Sequence, residues 1–150
     1  MRSRHISALL LSVLLVLAAL SLPAGANTAV IGEPEVAVSS PTGPVQASST
    51  AGLTVVLTND GSLDQGDPRN TQYEQQVTTA RNVRVEVVES GIDAPVEVQT
   101  GSQTLGTLPT GQSVPLDYQL EVGNATPGTY QVPVRVEYTY TRAIIFDQGE

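Results

Sequence analysis

Strict alternation of apolar and polar residues is the feature that most constrains the fold of this chain. Near the C-terminus, apolar positions recur at every second residue, at Val132, Val134, Val136, Tyr138 and Tyr140. A period of two places such residues on one face of an extended strand, because successive side chains point to opposite faces. Valine and tyrosine also pack well on a pleated surface. The pattern therefore predicts a long, half-buried β-strand.

Shorter stretches with the same alternation occur along the chain, and turn residues separate them. The predicted strands cover residues 35–39, 53–57, 83–87, 96–98, 114–122 and 132–140. The turn signals are Asp60-Gly61, Ser90-Gly91, Pro109-Thr110-Gly111 and Pro127-Gly128. Seven or so short strands with such turns predict an all-β chain folded as an antiparallel β-sandwich. Pro115 and Pro133 cannot donate to a sheet ladder, so they indicate edge positions or bulges.

The first 26 residues have the order of a secretory signal peptide. Arg2 and Arg4 give a positive start, an apolar run spans residues 6–20, and Ala24-Gly25-Ala26 supplies small residues at the exit. We predict a helical signal peptide cleaved after Ala26. The alternative is an uncleaved anchor, although the run is shorter than the ~20 residues that span a bilayer. The predicted organisation is a signal peptide (1–26), a flexible lead-in (27–34) and one sandwich (35–150).

The charge balance of the mature chain is strongly acidic. Loss of Arg2 and Arg4 leaves five Arg residues and no Lys against 15 acidic residues, a net charge of −10. Such a surface repels nucleic acid and anionic lipid, because phosphate binding needs clustered basic side chains. An excess of acid without Lys indicates adaptation to high salt, where screening relieves self-repulsion. Ordinary solubilising charge is the alternative interpretation.

Most familiar catalytic side chains are missing beyond the leader. The chain has no Cys and no Lys, and its single His, His5, lies in the leader. Ser-His-Asp and Cys-His nucleophiles, Lys Schiff bases and His/Cys zinc sites are therefore excluded from the mature chain. Carboxylate-pair chemistry remains, since glycosidases need only two acids, but 15 acids form pairs by chance. We predict a protein that is not an enzyme and has no organic cofactor.

One loop is a candidate calcium site. Asp60, Asp64 and Asp67 lie in a single Gly-containing stretch, with Asn59 and Asn70 beside them. Calcium takes several oxygen ligands, and flexible loops supply them. The spacing does not match an EF-hand loop, and a solvated acidic loop is the alternative interpretation.

Four segments resemble a known group of proteins. They are Gly52–Asn59, Ala80–Val87, Leu105–Gly111 and Pro127–Val134. In this order they resemble the immunoglobulin-like domain of archaeal secreted S-layer-related proteins, which is similar to a domain attached to some α-galactosidases and to CARDB-type adhesion modules. The resemblance covers residues 35–140 and consists of strand and turn patterns. It implies an immunoglobulin-like fold and a secreted or cell-envelope location, and it supplies no catalytic residues.

The connection before the last long strand holds two further features. Asn124 begins the only N-glycosylation sequon, Asn124-Ala125-Thr126. Tyr130 follows the Pro-Gly turn and is placed to hydrogen-bond back to the preceding connection, as in a tyrosine corner. Tyr118, Tyr138 and Tyr140 lie on apolar rows and are predicted to be in the core, with a sugar-stacking surface as the alternative.

The C-terminal segment predicts that the last strand of the sandwich is short or missing, because the segment 142–146 has only four apolar residues, 143–146, before Glu150. Either the chain is a truncated member of a longer family, or an open edge accepts a strand from a neighbouring copy. Function is predicted as a non-catalytic cell-envelope or S-layer-associated structural or adhesion module of a halophilic archaeon. Its partners would be envelope proteins or further copies. The alternative is an accessory domain that binds a polysaccharide or an envelope transporter.

Overall fold

The computed structural model describes residues 28–146. The predicted signal peptide, its cleavage site at Ala26 and the last four residues lie outside this range. This range contains ten strands: β1 Thr28–Glu33, β2 Val36–Ser39, β3 Ser49–Asn59, β4 Ser62–Gln65, β5 Ala80–Val87, β6 Val96–Val98, β7 Gln103–Leu108, β8 Ser113–Val122, β9 Val134–Thr139 and β10 Ala143–Phe146. Within the same residues, one short helix, α1, spans Glu74–Thr78, and single 3₁₀ turns cover Thr71–Tyr73 and Glu89–Gly91.

Two antiparallel sheets form the sandwich. One has the strand order β2-β3-β8-β6 and the other has the order β7-β5-β9. Side chains from both sheets form one hydrophobic cluster between them. A third, smaller sheet has the order β10-β1-β4. The predicted all-β sandwich is therefore confirmed.

The β3–β8 ladder forms the centre of the first sheet. Its register places Leu53 opposite Tyr118 and Val55 opposite Leu116. These four side chains are buried, while alternate residues of both strands are more accessible. Burial of such apolar side chains stabilises the fold by roughly 1.5–3 kcal/mol each before the cost of ordering is counted.

Strand β5 supplies the facing layer of the core. Val83, Val85 and Val87 are buried on one face, as the alternation predicts. A bulge interrupts β5 at Asn82, which adopts a positive φ of 52°. Arg84 and Glu86 point to the opposite face, which is the outer face of this sheet.

Strand β1 corrects the prediction of a flexible lead-in at residues 27–34. Thr28–Glu33 pairs antiparallel with β4, and Ala29 and Val30 are buried. Two adjacent buried residues do not alternate, so the period-two signal fails in this strand. Its partner β4 lies in the loop that the sequence offered as a calcium site, and all four of its residues are exposed.

The C-terminal strand β10 is four residues long and pairs with β1 instead of lying beside β9. The backbone N–H of Gly32 in β1 donates to the carbonyl of Arg142, just before β10. Within residues 28–146, β9 therefore pairs only with β5 and forms one edge of the sandwich.

Both prolines singled out in the sequence occur where no sheet partner needs their missing N–H. Pro115 in β8 faces Val56 of β3, and β6 covers β8 only from Leu120 to Val122. Pro133 directly precedes β9. Within the described range, no helix is long and apolar enough to cross a membrane.

Candidate functional site

The sandwich has an apolar opening on the side where the edge strands β2 and β9 face each other. A cavity of about 200 Å³ lies there. Its apolar lining is Val38, Leu53, Val55, Val132 and Val134, and we call this set the open side. Val38 is 43% exposed, although it lies on an apolar surface. The open side thus combines accessible apolar side chains with the edges of two sheets, which is typical of a site for an added strand.

One hydrogen bond at the start of β9 shows which of its backbone N–H and C=O groups point toward β5. The N–H of Val88 donates to the carbonyl of Pro133 over 2.9 Å. Backbone groups of an antiparallel strand point alternately to its two sides. Arg135 and Glu137 therefore direct their N–H and C=O groups toward β5, and Val134, Val136 and Tyr138 direct theirs toward the free edge.

The outer face of β5 and β9 bears alternating charges. Arg135 of β9 lies opposite Glu86 of β5, and their side chains form a salt bridge of 3.5 Å. The neighbouring row places Glu137 opposite Arg84. Arg84 also donates to the hydroxyl of Ser102 over 2.8 Å. The Arg135–Glu86 ion pair is solvent-exposed, so it contributes little by itself to the stability of the monomer.

A second cavity is more open and more polar. It has a volume of about 390 Å³ and lies between the loop 42–46 and the beginning of β3. Ser48 in the same connection has a positive φ of 54°. Val45 is the exposed apolar side chain of this loop.

The predicted calcium ligands do not form one cluster. Asp64 forms a 3.3 Å ion pair with Arg142. Asp67 is buried, and its carboxylate accepts from the backbone N–H of Arg69 and from the side-chain amide of Asn70. Asp60 is exposed.

Within residues 28–146, no group of three or more acidic or His side chains is arranged to hold a metal ion. Calcium binding by this loop stays a prediction. It is tested by comparing melting curves in calcium and in EGTA, where coincident curves would retire it.

Asn59, which the sequence placed beside the calcium loop, has a structural role. Its side chain is fully buried. The amide nitrogen donates to the carbonyls of Thr78 and Leu108, at 2.9 and 2.8 Å. The amide oxygen accepts from the backbone N–H groups of Glu35 and Gly61, at 3.1 and 3.0 Å. All four hydrogen-bonding positions of this amide are used, so it joins four segments of backbone.

The predicted hydrogen bond of Tyr130 is confirmed. Its hydroxyl donates to the carbonyl of Thr126 over 2.8 Å and lies 3.0 Å from the Thr126 hydroxyl. Asn124, two residues before Thr126, is exposed, as predicted for a glycosylation site. Glycosylation itself stays a prediction.

The tyrosines on apolar rows occupy different environments. Tyr118 is 1% exposed, and its hydroxyl donates to the carbonyl of Val85 over 3.0 Å. Burial raises the pKa of this hydroxyl, and the negative charge of Glu86 raises it further. Tyr138 packs against the core. Tyr140 is 40% exposed, which corrects its predicted place in the core, because it follows the end of β9. Its ring centroid lies 6.2 Å from that of Tyr138.

The sequence did not identify one polar site, which centres on Arg142. The guanidinium binds Glu33 of β1 at 2.7 Å and Asp64 of β4 at 3.3 Å. It therefore links the C-terminal segment to both partner strands of the small sheet. These residues are far apart in the chain, so no local pattern predicts the arrangement.

Comparison with protein-family models, with curated proteins and with solved structures finds no match to this chain.

Proposed function

We propose that this chain is a non-catalytic, secreted module of the cell envelope that binds another protein chain through the open side of its sandwich. The observation that supports the proposal best is the edge strand β9, whose outward backbone groups have no sheet partner within residues 28–146. An added strand would satisfy those groups, and its apolar side chains would cover Val134 and its neighbours in the cavity. Affinity would come from backbone hydrogen bonds, and specificity from alternate side chains.

Two features of the sequence support the proposed location. The charged, apolar and small-residue order of residues 1–26 is that of a secretory leader. The large acid excess without Lys suits an extracellular medium of high salt. Membership in the archaeal S-layer-related group is part of the same proposal, and its support is the all-β sandwich together with the four segments that resemble that group.

Fractionation of native host cells, followed by intact-mass analysis, tests the location. We expect a mass that begins at Asn27, recovered in the envelope fraction, with or without a glycan at Asn124. Recovery of the same mass only in the medium would contradict the envelope role. A mass that includes residues 1–26 would show that the leader is retained as an anchor.

A second candidate is a ligand-binding accessory domain, for a polysaccharide or for an envelope transporter. The exposed ring of Tyr140 beside Tyr138 favours the polysaccharide version, because sugars stack on accessible aromatic faces. Titration with envelope polysaccharide measures it. Binding that is lost in Tyr140→Ala and kept in the control Tyr73→Ala would favour this candidate over the structural module.

A further inference from the structure

Strand β9 is a six-residue edge of the sandwich, paired only with β5 within residues 28–146. We propose that it pairs antiparallel with β9 of a second copy of this chain, with Val136 of each copy opposite Val136 of the other. This pairing rests on the proposed function, because it names the protein that binds at the open side. It joins the two β7-β5-β9 sheets into one continuous sheet related by a two-fold axis.

The backbone of β9 has the correct direction for this pairing. The Val88–Pro133 hydrogen bond assigns the N–H and C=O groups of Val134, Val136 and Tyr138 to the free edge. When Val136 lies on the two-fold axis, Val134 of one copy faces Tyr138 of the other. All three positions are then hydrogen-bonded pairs, which gives about six N–H···O=C bonds across the interface.

The charges on the outer face fit the same register. Arg135 of each copy lies opposite Glu137 of the other in a non-hydrogen-bonded pair, where side chains approach most closely. Within each copy, Arg135 faces Glu86 and Glu137 faces Arg84. A row across the joined sheet therefore reads Glu86, Arg135, Glu137 and Arg84, with alternating sign throughout. Opposite charges in facing positions contribute roughly 0.2–1 kcal/mol per pair.

Neighbouring registers are unfavourable. If one copy of β9 is moved by two residues along the other, Arg135 lies opposite Arg135. A two-residue move in the other direction places Glu137 opposite Glu137. Either shift replaces attraction by repulsion between like charges. A shift by a single residue would set inner-face and outer-face side chains opposite each other. The charges therefore select one of the registers that the backbone allows.

The other edges of the sandwich are less suited to pairing. Strand β2 has four residues and β6 has three, and short edge strands offer few hydrogen bonds. Strand β7 is interrupted by irregular register at Gly106, where φ is +80°. By contrast, β9 has six residues in regular alternation. Its inner-face side chains are only partly buried in the monomer, so pairing would remove further apolar surface from water.

Disulfide trapping tests the register, because the chain has no Cys of its own. The full chain is expressed with its N-terminal segment and purified as the cell processes it, in the variants R135C and E137C. Facing residues of a non-hydrogen-bonded pair have Cα atoms about 4.5 Å apart, which a disulfide spans. We expect a covalent dimer when the two variants are mixed under mild oxidation, and little from either variant alone.

The mixed dimer also retains one native ion pair, because Glu137 of the first variant still faces Arg135 of the second. The matched control is T104C, an exposed residue on the opposite edge of the same sheet, which should not crosslink to R135C. Equal crosslinking of each single variant with itself, or crosslinking to T104C, would overturn the proposed register.

Sedimentation of the unsubstituted chain tests β9–β9 pairing independently of the register. We expect a reversible dimer whose dissociation constant rises about tenfold in R135E, which places like charges opposite each other twice. The double variant R135E/E137R should restore the constant to within about threefold of the original. A strict monomer at the highest attainable concentration, with circular dichroism showing intact folding, would overturn the proposal. A monomer would not contradict the proposed envelope location, because cell fractionation tests that location separately.

Discussion

At the scale of single residues, Asn59 shows how one buried amide can hold several backbone segments in place. Replacement by Ala removes its hydrogen bonds with Glu35, Gly61, Thr78 and Leu108 at the same time. Loss of a partner for buried polar groups costs about 1–3 kcal/mol per group. We expect Asn59→Ala to lower the free energy of unfolding by at least about 3 kcal/mol, measured by denaturant titration.

The matched control for this substitution is Asn124→Ala. Its side chain is exposed, so the same chemical change should alter the stability by no more than about 0.5 kcal/mol. Equal effects at the two positions would contradict the role assigned to Asn59.

Tyr118 gives a residue-scale prediction about alkaline pH. Its pKa is raised above the ordinary value of 10.0, so the folded state disfavours the phenolate. The contribution of the neutral hydroxyl is complete below about pH 10 and is lost as the pH rises further. We expect stability to fall above pH 10, and to fall less steeply in Tyr118→Phe. Denaturant titrations at pH 9 to 11 measure the slope, and equal slopes in the original chain and in Tyr118→Phe would contradict this role of the neutral hydroxyl.

At the scale of elements, the attachment of β1 to β4 depends on a close approach at Gly32. A Cβ atom at this position would lie 2.8 Å from the carbonyl oxygen of Ser62 and 3.0 Å from a methyl group of Val77. We expect Gly32→Ala to destabilise the protein by about 1–3 kcal/mol, because the neighbouring backbone must move. Thermal melts should show the change.

Gly52 in β3 provides the control, since nothing lies within 4 Å of the position of its Cβ. The same Gly→Ala change there should be neutral or slightly stabilising, by up to about 1 kcal/mol, because it restricts the unfolded chain. Similar losses at both positions would mean that the contact at Gly32 is not the cause.

The elements differ in how far the sequence predicts them. Strands β3, β5 and β8 bury alternate valine, leucine and tyrosine side chains, and β9 half-buries its own at every second position. The period-two pattern records this alternation. Strand β4 buries no residue, so it leaves no apolar pattern to read.

The candidate site at the edge strand β9 is also only partly predictable from the sequence. The short last strand was predictable from the few apolar residues after position 140. The β5–β9 register, which sets Glu137 opposite Arg84 and Arg135 opposite Glu86, depends on pairing between residues about 50 apart in sequence. The same holds for Arg142, whose partners lie in β1 and β4. Long-range pairing of this kind is decided by the packing of the whole core and leaves no local signature.

At the scale of the whole molecule, the net negative charge predicts a dependence on salt. Self-repulsion opposes the compact state, and screening shortens the Debye length from about 10 Å at 0.1 M salt to about 3 Å at 1 M. We expect the denaturant midpoint of the mature chain to rise with KCl, with most of the gain below about 1 M. An unchanged midpoint would retire the proposed adaptation to high salt.

The same molecule has its first and last described strands side by side, because β1 and β10 share the small sheet and Arg142 binds Glu33 across it. Tension transmitted along the chain from either side would enter the domain through this sheet. Its few hydrogen bonds would yield before the long β3–β8 ladder bears any load. The small sheet would then unfold first and extend under force, while the sandwich and its edge β9 stay folded.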